Sequence, residues 1–412
     1  MTPAEVLAQP FTLGNGSVVK NRIAKSAMSE QLGTADNNPT DKLERLYAAW
    51  ADGGLGLCVT GNVMIDRRAI GEPNNVALED ERDLDMLRRW ATAGSRGGTQ
   101  IWMQLNHPGK QSPKGLNRET VSPSPIPFRE DLQSFFATPR ELTGSEIEEI
   151  ITRFGRAAAI AKKAGFSGVQ IHGAHGYLVN QFLSPHHNQR NDAWGGTAEK
   201  RRRFVLAVLA EMRKQVGRDY PLGIKLNSAD FQRGGFTEEE SLDTLRALAQ
   251  AGLELIDISG GTYETPAMTG VMKESTRLRE AYFLEFAEKA RTAVKTPLML
   301  TGGFRTLNGM AEALTSGAID LVGLARPLAV EPDLPNRLLS GHDPLQKIRP
   351  IKTGIRMIDG SGLMETAWYS RQLRRIGSGQ APKPNESGFG SFALGLIENG
   401  WKTYKTRKLR AN

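Results

Sequence analysis

The chain has 412 residues, 39% of them hydrophobic and 24% charged, so it can bury a sizeable core as one large barrel or as two ordinary domains. The formal net charge is +8, but basic residues mix with acidic ones along stretches such as 79–89, which favours a solvated basic surface or attraction for anionic cofactors over nucleic-acid binding. The single cysteine, Cys58, excludes a structural disulfide within the chain and a cysteine-ligated iron–sulfur cluster.

Eight short apolar runs alternate along the chain with stretches whose apolar residues recur at helical spacing. The predicted strands are 22–26, 55–60, 100–105, 168–171, 222–226, 255–258, 298–301 and 321–324. The predicted helices are 41–51, 83–95, 145–164, 198–216, 238–251, 279–294, 307–316 and 332–339. Strand alternating with helix predicts an α/β fold with a parallel sheet, and eight such units match a closed TIM (β/α)8 barrel. No GxGxxG sequence opens the helix after the first strand, which weakens the case for a Rossmann fold.

Two segments lie outside this alternation. Residues 105–142 are rich in proline and predict a long, ordered loop after the third strand. We expect residues 1–340 to form the barrel and residues 341–412 to form a C-terminal extension that packs on the barrel or on a neighbouring subunit. Within the extension, 364–376 is predicted to be helical, 380–390 is predicted to be a linker and 402–410 is basic. The extension contains no residues that indicate chemistry of its own. A homo-oligomer is possible.

In a TIM barrel the active site lies at the C-terminal ends of the strands. A turn with His172, His175 and Tyr177 follows the fourth predicted strand at a density of polar residues that a core strand does not need. Polar residues and glycines also end the other strands, at Ser29, Gly61, Gln104, Lys225, 259–261, 301–305, Ala325 and Arg326.

The ends of the last two strands together predict an anion site. Gly302 and Gly303 allow backbone N–H groups to approach an anion, the helix beginning near Thr306 adds its positive end, and Arg326 can donate two parallel hydrogen bonds. TIM barrels commonly hold a phosphate at this position, so a phosphate-bearing cofactor is expected. Tight turns alone would also explain the glycines.

Five motifs give the chain a specific resemblance. It is similar to the Old Yellow Enzyme family of FMN-dependent ene-reductases over about residues 10–340, with the motifs in the family's order and spacing. The motifs are QLNHPGKQ at 104–111, IHGAHGYLVNQFLSP at 171–185, RNDAWGG at 190–196, TGGFRT at 301–306 and GLARP at 323–327.

The resemblance implies roles for the turn after the fourth strand. His172 and His175 match the pair that hydrogen-bonds the carbonyl oxygen of the substrate, which withdraws electrons from a conjugated C=C bond. Tyr177 matches the residue that delivers a proton to the α-carbon, and a phenol near its normal pKa is protonated at neutral pH. The HxxH spacing could instead bind a metal, but no third ligand is evident, so no metal is predicted.

The resemblance also assigns the flavin contacts. Gln104 matches the amide at the pyrimidine edge, and Gly61 matches a backbone contact with the isoalloxazine ring. Ser29 lies where the family has Thr or Cys near flavin O4, so its hydroxyl could still donate there. Lys225 replaces the family's usual arginine beside flavin N1 and O2, which keeps the charge but loses the planar fork. The FMN phosphate would lie against Gly302, Gly303, Phe304, Ala325 and Arg326.

The implied reaction has two halves. NADPH or NADH reduces FMN and leaves, and an activated alkene such as an enone or enal then accepts hydride at its β-carbon. The main alternative is a phosphate-binding barrel aldolase that uses Lys225 as a Schiff base. A barrel that binds a ligand or nucleic acid without catalysis is a further alternative. Neither alternative explains Gln104 together with the turn at 172–177.

The expected location is the cytoplasm. The amino terminus lacks the charged and apolar regions of a secretory signal, and no apolar run is long enough to span a membrane. We therefore expect a cytoplasmic enzyme that acts on small molecules, without nucleic-acid or membrane partners.

Overall fold

The computed structural model describes residues 1–265, 280–345, 351–353, 363–391, 393–394 and 397. Eight parallel strands close into a barrel, in which each strand pairs with the next along the chain and the last pairs with the first. The strands are β1 (Ile23–Lys25), β2 (Leu57–Met64), β3 (Gln100–Asn106), β4 (Gly168–Gly173), β5 (Leu222–Asn227), β6 (Leu255–Ser259), β7 (Leu298–Thr301) and β8 (Leu321–Leu324). The predicted TIM barrel is confirmed.

Helices cover the outside of the barrel and pack their apolar faces on the strands. They are α1 (Pro3–Ala8), α2 (Asp41–Asp52), α3 (Leu84–Gly94), α4 (Gly144–Lys163), α5 (Leu178–Leu183), α6 (Ala198–Val216), α7 (Glu238–Gln250), α8 (Leu284–Ala293), α9 (Leu307–Thr315), α10 (Arg326–Val330), α11 (Leu334–Leu339) and α12 (Leu363–Gly377). Two single-turn 3-10 helices, Arg96–Gly98 and Glu130–Leu132, lie in the connections.

Local sequence explains where these helices start. Thr143 begins α4, and its hydroxyl accepts from the backbone N–H of Glu146 while the Glu146 carboxylate accepts from the Thr143 N–H. Two helices start at least two residues later than predicted. The predicted helix 279–294 starts at Leu284, and the backbone of Phe283 before it is not helical. The predicted helix 332–339 starts at Leu334, and the backbone of Asp333 before it is likewise not helical.

The barrel interior has an apolar layer at its N-terminal end. Trp102 on β3 fills the centre, and glycines on β4 and β5 make room for its indole. A Cβ atom at Gly168 would lie 2.6 Å from the Trp102 ring, and one at Gly223 would lie 2.7 Å from it. Ala24, Leu57, Leu255, Met299 and Leu321 belong to the same buried cluster. This layer leaves the opposite, C-terminal end of the barrel for polar side chains.

A short antiparallel hairpin, absent from the prediction, closes the N-terminal end. Strands Phe11–Thr12 and Val18–Val19 pair with each other, and Leu13 and Val19 pack into the cluster around Trp102. Strands of two residues carry no detectable alternation, so the sequence could not indicate them. The long loop after β3 contains a second pair of short strands, Val121–Ser122 and Arg140–Glu141.

The described part of the C-terminal extension includes a helix that packs on the barrel surface. The predicted helix 364–376 is observed as α12, whose Trp368 and Leu373 are buried in the main core. The basic stretch 402–410 lies outside the described residues, and the division at residue 340 stays a prediction. None of the helices in the described ranges is both long and apolar enough to cross a membrane.

Candidate active site

A polar layer lies directly above the apolar layer inside the barrel. Side chains alternate along a strand, so the residue two positions after each inward apolar residue also points inward. Gln104 follows Trp102 in this way, and Gln170 follows Gly168 on the next strand, opposite Gln104. The Gln104 Nε2 donates to Gln170 Oε1 at 2.7 Å. Both amides are buried, which fixes their orientation at the strand exits.

An ion pair completes this layer on the far side of the barrel. Lys225 on β5 stands opposite Asp257 on β6, and its ammonium group pairs with the Asp257 carboxylate and donates to Ser26 Oγ at 2.8 Å. Thr301 Oγ1 also donates to Asp257, at 2.6 Å. The prediction identified Gln104 and Lys225, but it missed Gln170 and Asp257, which the same alternation from 168 and 255 would have indicated.

His172 near the end of β4 and His175 in the turn after it lie together, with ring centroids 5.2 Å apart. His172 Nδ1 accepts from the backbone N–H of Ala174 at 3.4 Å, so in a neutral ring the proton is on Nε2. His175 has a left-handed backbone with φ 61°, a costly conformation for a residue other than glycine. Its Nε2 lies 2.8 Å from Ser259 Oγ at the end of β6, and its backbone N–H donates to Asn227.

Burial makes both imidazoles neutral near pH 7. It lowers the pKa of His172 well below the usual value, and the proximity of the His175 ring and of the Lys225 ammonium adds to that effect. Burial lowers the pKa of His175 to about 3, with a further contribution from Lys225. Neutral imidazole rings can each donate one N–H to an oxygen atom. The turn therefore offers hydrogen-bond donors that do not depend on protonation.

Tyr177 ends the turn and begins α5. Its Oη lies 2.9 Å from the Oη of Tyr263, a residue in the loop after β6, and its ring packs on His172 with centroids 4.6 Å apart. Burial raises the pKa of Tyr177 well above 10, and Tyr263 and Glu72 raise it further. The phenol is thus protonated across the neutral range. Tyr263 was not predicted, because only the folded loop brings it to Tyr177.

The predicted flavin contacts after β1 and on β2 are already hydrogen-bonded within the protein. Ser29 Oγ donates to the Glu72 carboxylate, whose pKa is raised by burial. The Gly61 backbone N–H donates to Glu30 Oε1 at 2.9 Å, and a Cβ atom at Gly61 would clash with the Met28 carbonyl oxygen. Only glycine fits at position 61. Glu72 was not predicted. Its carboxylate lies beside the Ser29 hydroxyl, which was the only polar group that the sequence indicated there.

The exits of β7 and β8 carry the residues of the predicted anion site. Gly302 and Gly303 have φ values of 124° and 90°, which other residues rarely adopt, and the hydroxyl of Thr306 caps α9 directly after them. Phe304 is buried between these elements. Ala325 precedes α10, and the side chain of Arg326 is 27% exposed and forms an ion pair with Glu365 of α12, with Nη1 2.8 Å from Oε2.

The residues at the strand exits fit FMN in chemical type. The glycine pair and Arg326 suit a phosphate, and Gln104 and Lys225 supply the donor, acceptor and cation that a flavin edge requires. Buried polar atoms at the ends of β2 and β3 also lack a hydrogen-bond partner within the described part of the chain: Asn62 Oδ1 and both side-chain polar atoms of Asn106. Unpaired buried polar atoms are costly, so a bound polar group at these exits would satisfy them.

One cluster outside the predicted site has the residue types of a metal site. The potential ligand atoms of His186, His187 and Glu264 lie within 4.8 Å of one another. The Lys110 ammonium lies 3.4 Å from Glu264 Oε2, and the His187 Nε2 lies 3.6 Å from the same oxygen. Since Lys110 already supplies the counter-charge to Glu264, a buried ion pair explains this cluster.

Known proteins resemble this chain in sequence and in fold. The sequence profile of the NADH:flavin oxidoreductase / NADH oxidase family matches residues 6–344. The NADH-dependent flavin oxidoreductase iliE of Hypocrea jecorina is 37% identical over 360 residues, which cover 81% of this chain and 89% of that relative.

Two solved structures are similar in fold. A 2-naphthoyl-CoA reductase in complex with 2-naphthoyl-CoA superposes with a TM-score of 0.77 at 28% identity, covering 82% of this chain and 53% of that one. An Old Yellow Enzyme homologue from Zymomonas mobilis superposes with a TM-score of 0.71 at 24% identity, covering 83% of this chain and 94% of that one. The second likeness supports the fold alone.

Proposed function

The chain belongs to the NADH:flavin oxidoreductase / NADH oxidase family, and we propose that it reduces activated alkenes whose C=C bond is conjugated to a carbonyl group. The family assignment confirms the predictions of an oxidoreductase, of resemblance to Old Yellow Enzyme, and of FMN with NADH or NADPH as reductant. The alkene substrate and the roles of individual residues are the proposed part.

In this proposal Gln104 and Lys225 hold the flavin ring, and Gly302, Gly303 and Arg326 hold the phosphate. When bound, FMN accepts hydride from the nicotinamide and supplies it to the β-carbon of the alkene. Ser29, Gly61, Phe304 and Ala325 complete the cofactor site. The Lys225 ammonium group is also ion-paired with the Asp257 carboxylate.

His172 and His175 bind the carbonyl oxygen of the alkene. Both rings are neutral, and the His172 proton is fixed on Nε2 by the hydrogen bond that its Nδ1 accepts from Ala174. If Ser259 donates its hydroxyl proton to His175 Nε2, the His175 proton is on Nδ1. Two positioned donors stabilise the negative charge that develops on the oxygen when hydride reaches the β-carbon.

Tyr177 then donates its proton to the α-carbon. The phenol is protonated at neutral pH, and its hydroxyl is oriented by Tyr263 at 2.9 Å. General acids placed in this way contribute roughly 10²–10⁴ in rate. The observation that carries the proposal is this single turn, which presents two neutral imidazoles and a protonated phenol beside the polar layer of Gln104 and Lys225.

The aldolase alternative is disfavoured by the surroundings of Lys225. Its side chain is 3% exposed, and its ammonium group is held between Asp257 and Ser26 inside the barrel. A Schiff base requires an amine that a carbonyl carbon can reach, and this amine is buried and bonded to neighbouring side chains.

A visible spectrum of the purified protein, followed by anaerobic titration with NADH and NADPH and reoxidation by a panel of enones, tests the proposal. We expect bound FMN that is bleached by a nicotinamide and reoxidised by the enones with consumption of the C=C bond. A flavoprotein that is bleached but is reoxidised only by oxygen would contradict the alkene substrate. Borohydride treatment with a carbonyl substrate should leave Lys225 unmodified.

A further inference from the structure

The helix α12 lies outside the segment that matches the family, yet it contacts two residues of the proposed cofactor site. The family match ends at residue 344, whereas α12 spans Leu363–Gly377. Its Glu365 forms the ion pair with Arg326, and its Ser370 Oγ donates to the backbone oxygen of Ser29 at 3.2 Å. The helix therefore reaches both the phosphate end and the ring end of that site.

The position of α12 is fixed by burial rather than by these two contacts alone. Trp368 and Leu373 are 2% and 1% exposed and belong to the main core, and Gln372 is fully buried. The Gly377 carbonyl at its end accepts from Arg45 Nε of α2 at 2.8 Å. Since the helix is anchored along its length, the Glu365 carboxylate is presented to Arg326 from a rigid element.

We propose that α12 is part of the FMN site, and that Glu365 is a positioning residue that orients the Arg326 guanidinium toward the phosphate. This inference rests on the proposed role of Arg326. A guanidinium has five N–H donors in one plane, so a carboxylate bonded at one edge fixes the plane in which the group can approach an anion. An arginine held in this way loses less conformational freedom when the phosphate binds than an unrestrained one does.

Riboflavin, which lacks the phosphate, separates a phosphate-specific role from general support of the fold. The apoprotein is titrated with FMN and with riboflavin, and each dissociation constant is obtained from the quenching of flavin fluorescence. For Glu365→Ala we expect the dissociation constant of FMN to rise roughly tenfold and that of riboflavin to stay within about twofold. Glu365→Gln keeps an acceptor oxygen for Arg326 and should restore most of the FMN affinity.

The matched control is Glu288→Ala, which removes the same charge from an exposed position in the middle of α8. Its FMN affinity should equal that of the wild type. Equal weakening of FMN and riboflavin by Glu365→Ala would overturn the proposal, because the helix would then only support the fold. Unchanged or tighter FMN binding by that variant would also overturn it.

A second variant keeps the test decisive if Glu365→Ala is poorly folded. Glu365→Met, which keeps the length of the side chain and removes its oxygens, and Arg326→Gln should each show the same phosphate-specific loss. Combining the two should have no further effect on FMN binding, because Glu365 acts through Arg326. A further loss in the double variant would contradict the inference. If the wild-type chain binds neither flavin, the proposed function itself fails, which is a distinguishable outcome.

Discussion

The hydroxyl oxygens of Tyr177 and Tyr263 lie 2.9 Å apart, with their rings inclined at 67°. One phenol must donate to the other, so Tyr177 belongs to a hydrogen-bonded pair and is not an isolated side chain. Tyr263 belongs to the loop after β6, whereas Tyr177 follows β4, and His172 packs against Tyr177 on the turn itself. The pair therefore links two strand exits at the place where we propose that the alkene is protonated.

We expect Tyr263→Phe to slow alkene reduction about tenfold, which corresponds to the loss of one hydrogen bond worth about 1.4 kcal/mol in the transition state. Tyr177→Phe should cost roughly 10²-fold or more, since it removes the acid itself. The measurement is stopped-flow oxidation of the reduced enzyme by an enone that needs proton donation.

The reductive half-reaction is the internal control for both variants. Reduction of bound FMN by the nicotinamide needs no proton from Tyr177, so its rate should be unchanged. If Tyr263→Phe oxidises as fast as the wild type, the pair is structural and the assignment of Tyr263 is wrong. Should both half-reactions slow equally, the variant has disturbed the whole site.

Buried histidines should make the fold less stable in mild acid. Burial lowers the pKa of His107 to about 4, and Asp66 opposes that shift only in part. Between about pH 6.5 and pH 4 the unfolded chain binds a proton at His107 that the folded chain does not, so stability is lost as pH falls through that window. The linkage relation gives up to about 3 kcal/mol over the window from this one residue.

Urea unfolding of the apoprotein at a series of pH values measures that loss. His107→Asn should flatten the curve, because the asparagine oxygen can still accept from the Gly109 N–H, as His107 Nδ1 does at 3.1 Å, but does not titrate. The exposed His342 offers the matched variant His342→Asn, whose curve should overlay the wild type. An unaltered curve for His107→Asn would show that His107 is not responsible.

The sequence was sufficient to predict the barrel because the strands are short apolar runs and the helices repeat their apolar residues at helical spacing. The fold then places the strand ends together, which is why Gln104 and Lys225 could be predicted as neighbours of one site. Their partners Gln170 and Asp257 follow from alternation along β4 and β6, once the order of strands is known.

Other parts of the site could not be predicted because they depend on contacts between distant segments. Tyr263 reaches Tyr177 through the path of a loop, and loop paths do not follow a sequence period. Glu72 accepts from Ser29 across 43 positions, and Glu365 pairs with Arg326 across 39. Such pairs become visible only in the folded chain.

The buried ion pair between Lys225 and Asp257 should be strongly coupled. Asp257→Asn leaves the Lys225 ammonium without a counter-charge in the barrel interior and should destabilise the protein by about 3–5 kcal/mol. Adding Lys225→Met to it should recover part of that loss, since the second change removes the unpaired charge.

Free energies of unfolding from denaturant curves give the coupling between the two positions. Asp243→Asn is the matched control, because Asp243 pairs with Arg246 at an exposed site and its loss should have little effect. Fully additive effects at positions 225 and 257 would mean that the two charges do not interact in solution.

Glu72 should set the reduction potential of the flavin more strongly than Ser29 does. The Ser29 hydroxyl, proposed to face flavin O4, donates to Glu72, so an ionised carboxylate stands behind it. Negative charge there opposes reduction to an anionic flavin, and Glu72→Gln should therefore raise the midpoint potential at pH 8 by roughly 30 mV, a tenfold change for a two-electron couple. Because burial raises the pKa of Glu72, the difference between variant and wild type should shrink as pH falls and the carboxylate becomes protonated.

Equilibrium dye titrations give the potentials, with the exposed Glu81→Gln as the charge-matched control. Equal potentials for Glu72→Gln and wild type at pH 8 would show that Glu72 does not act on the flavin.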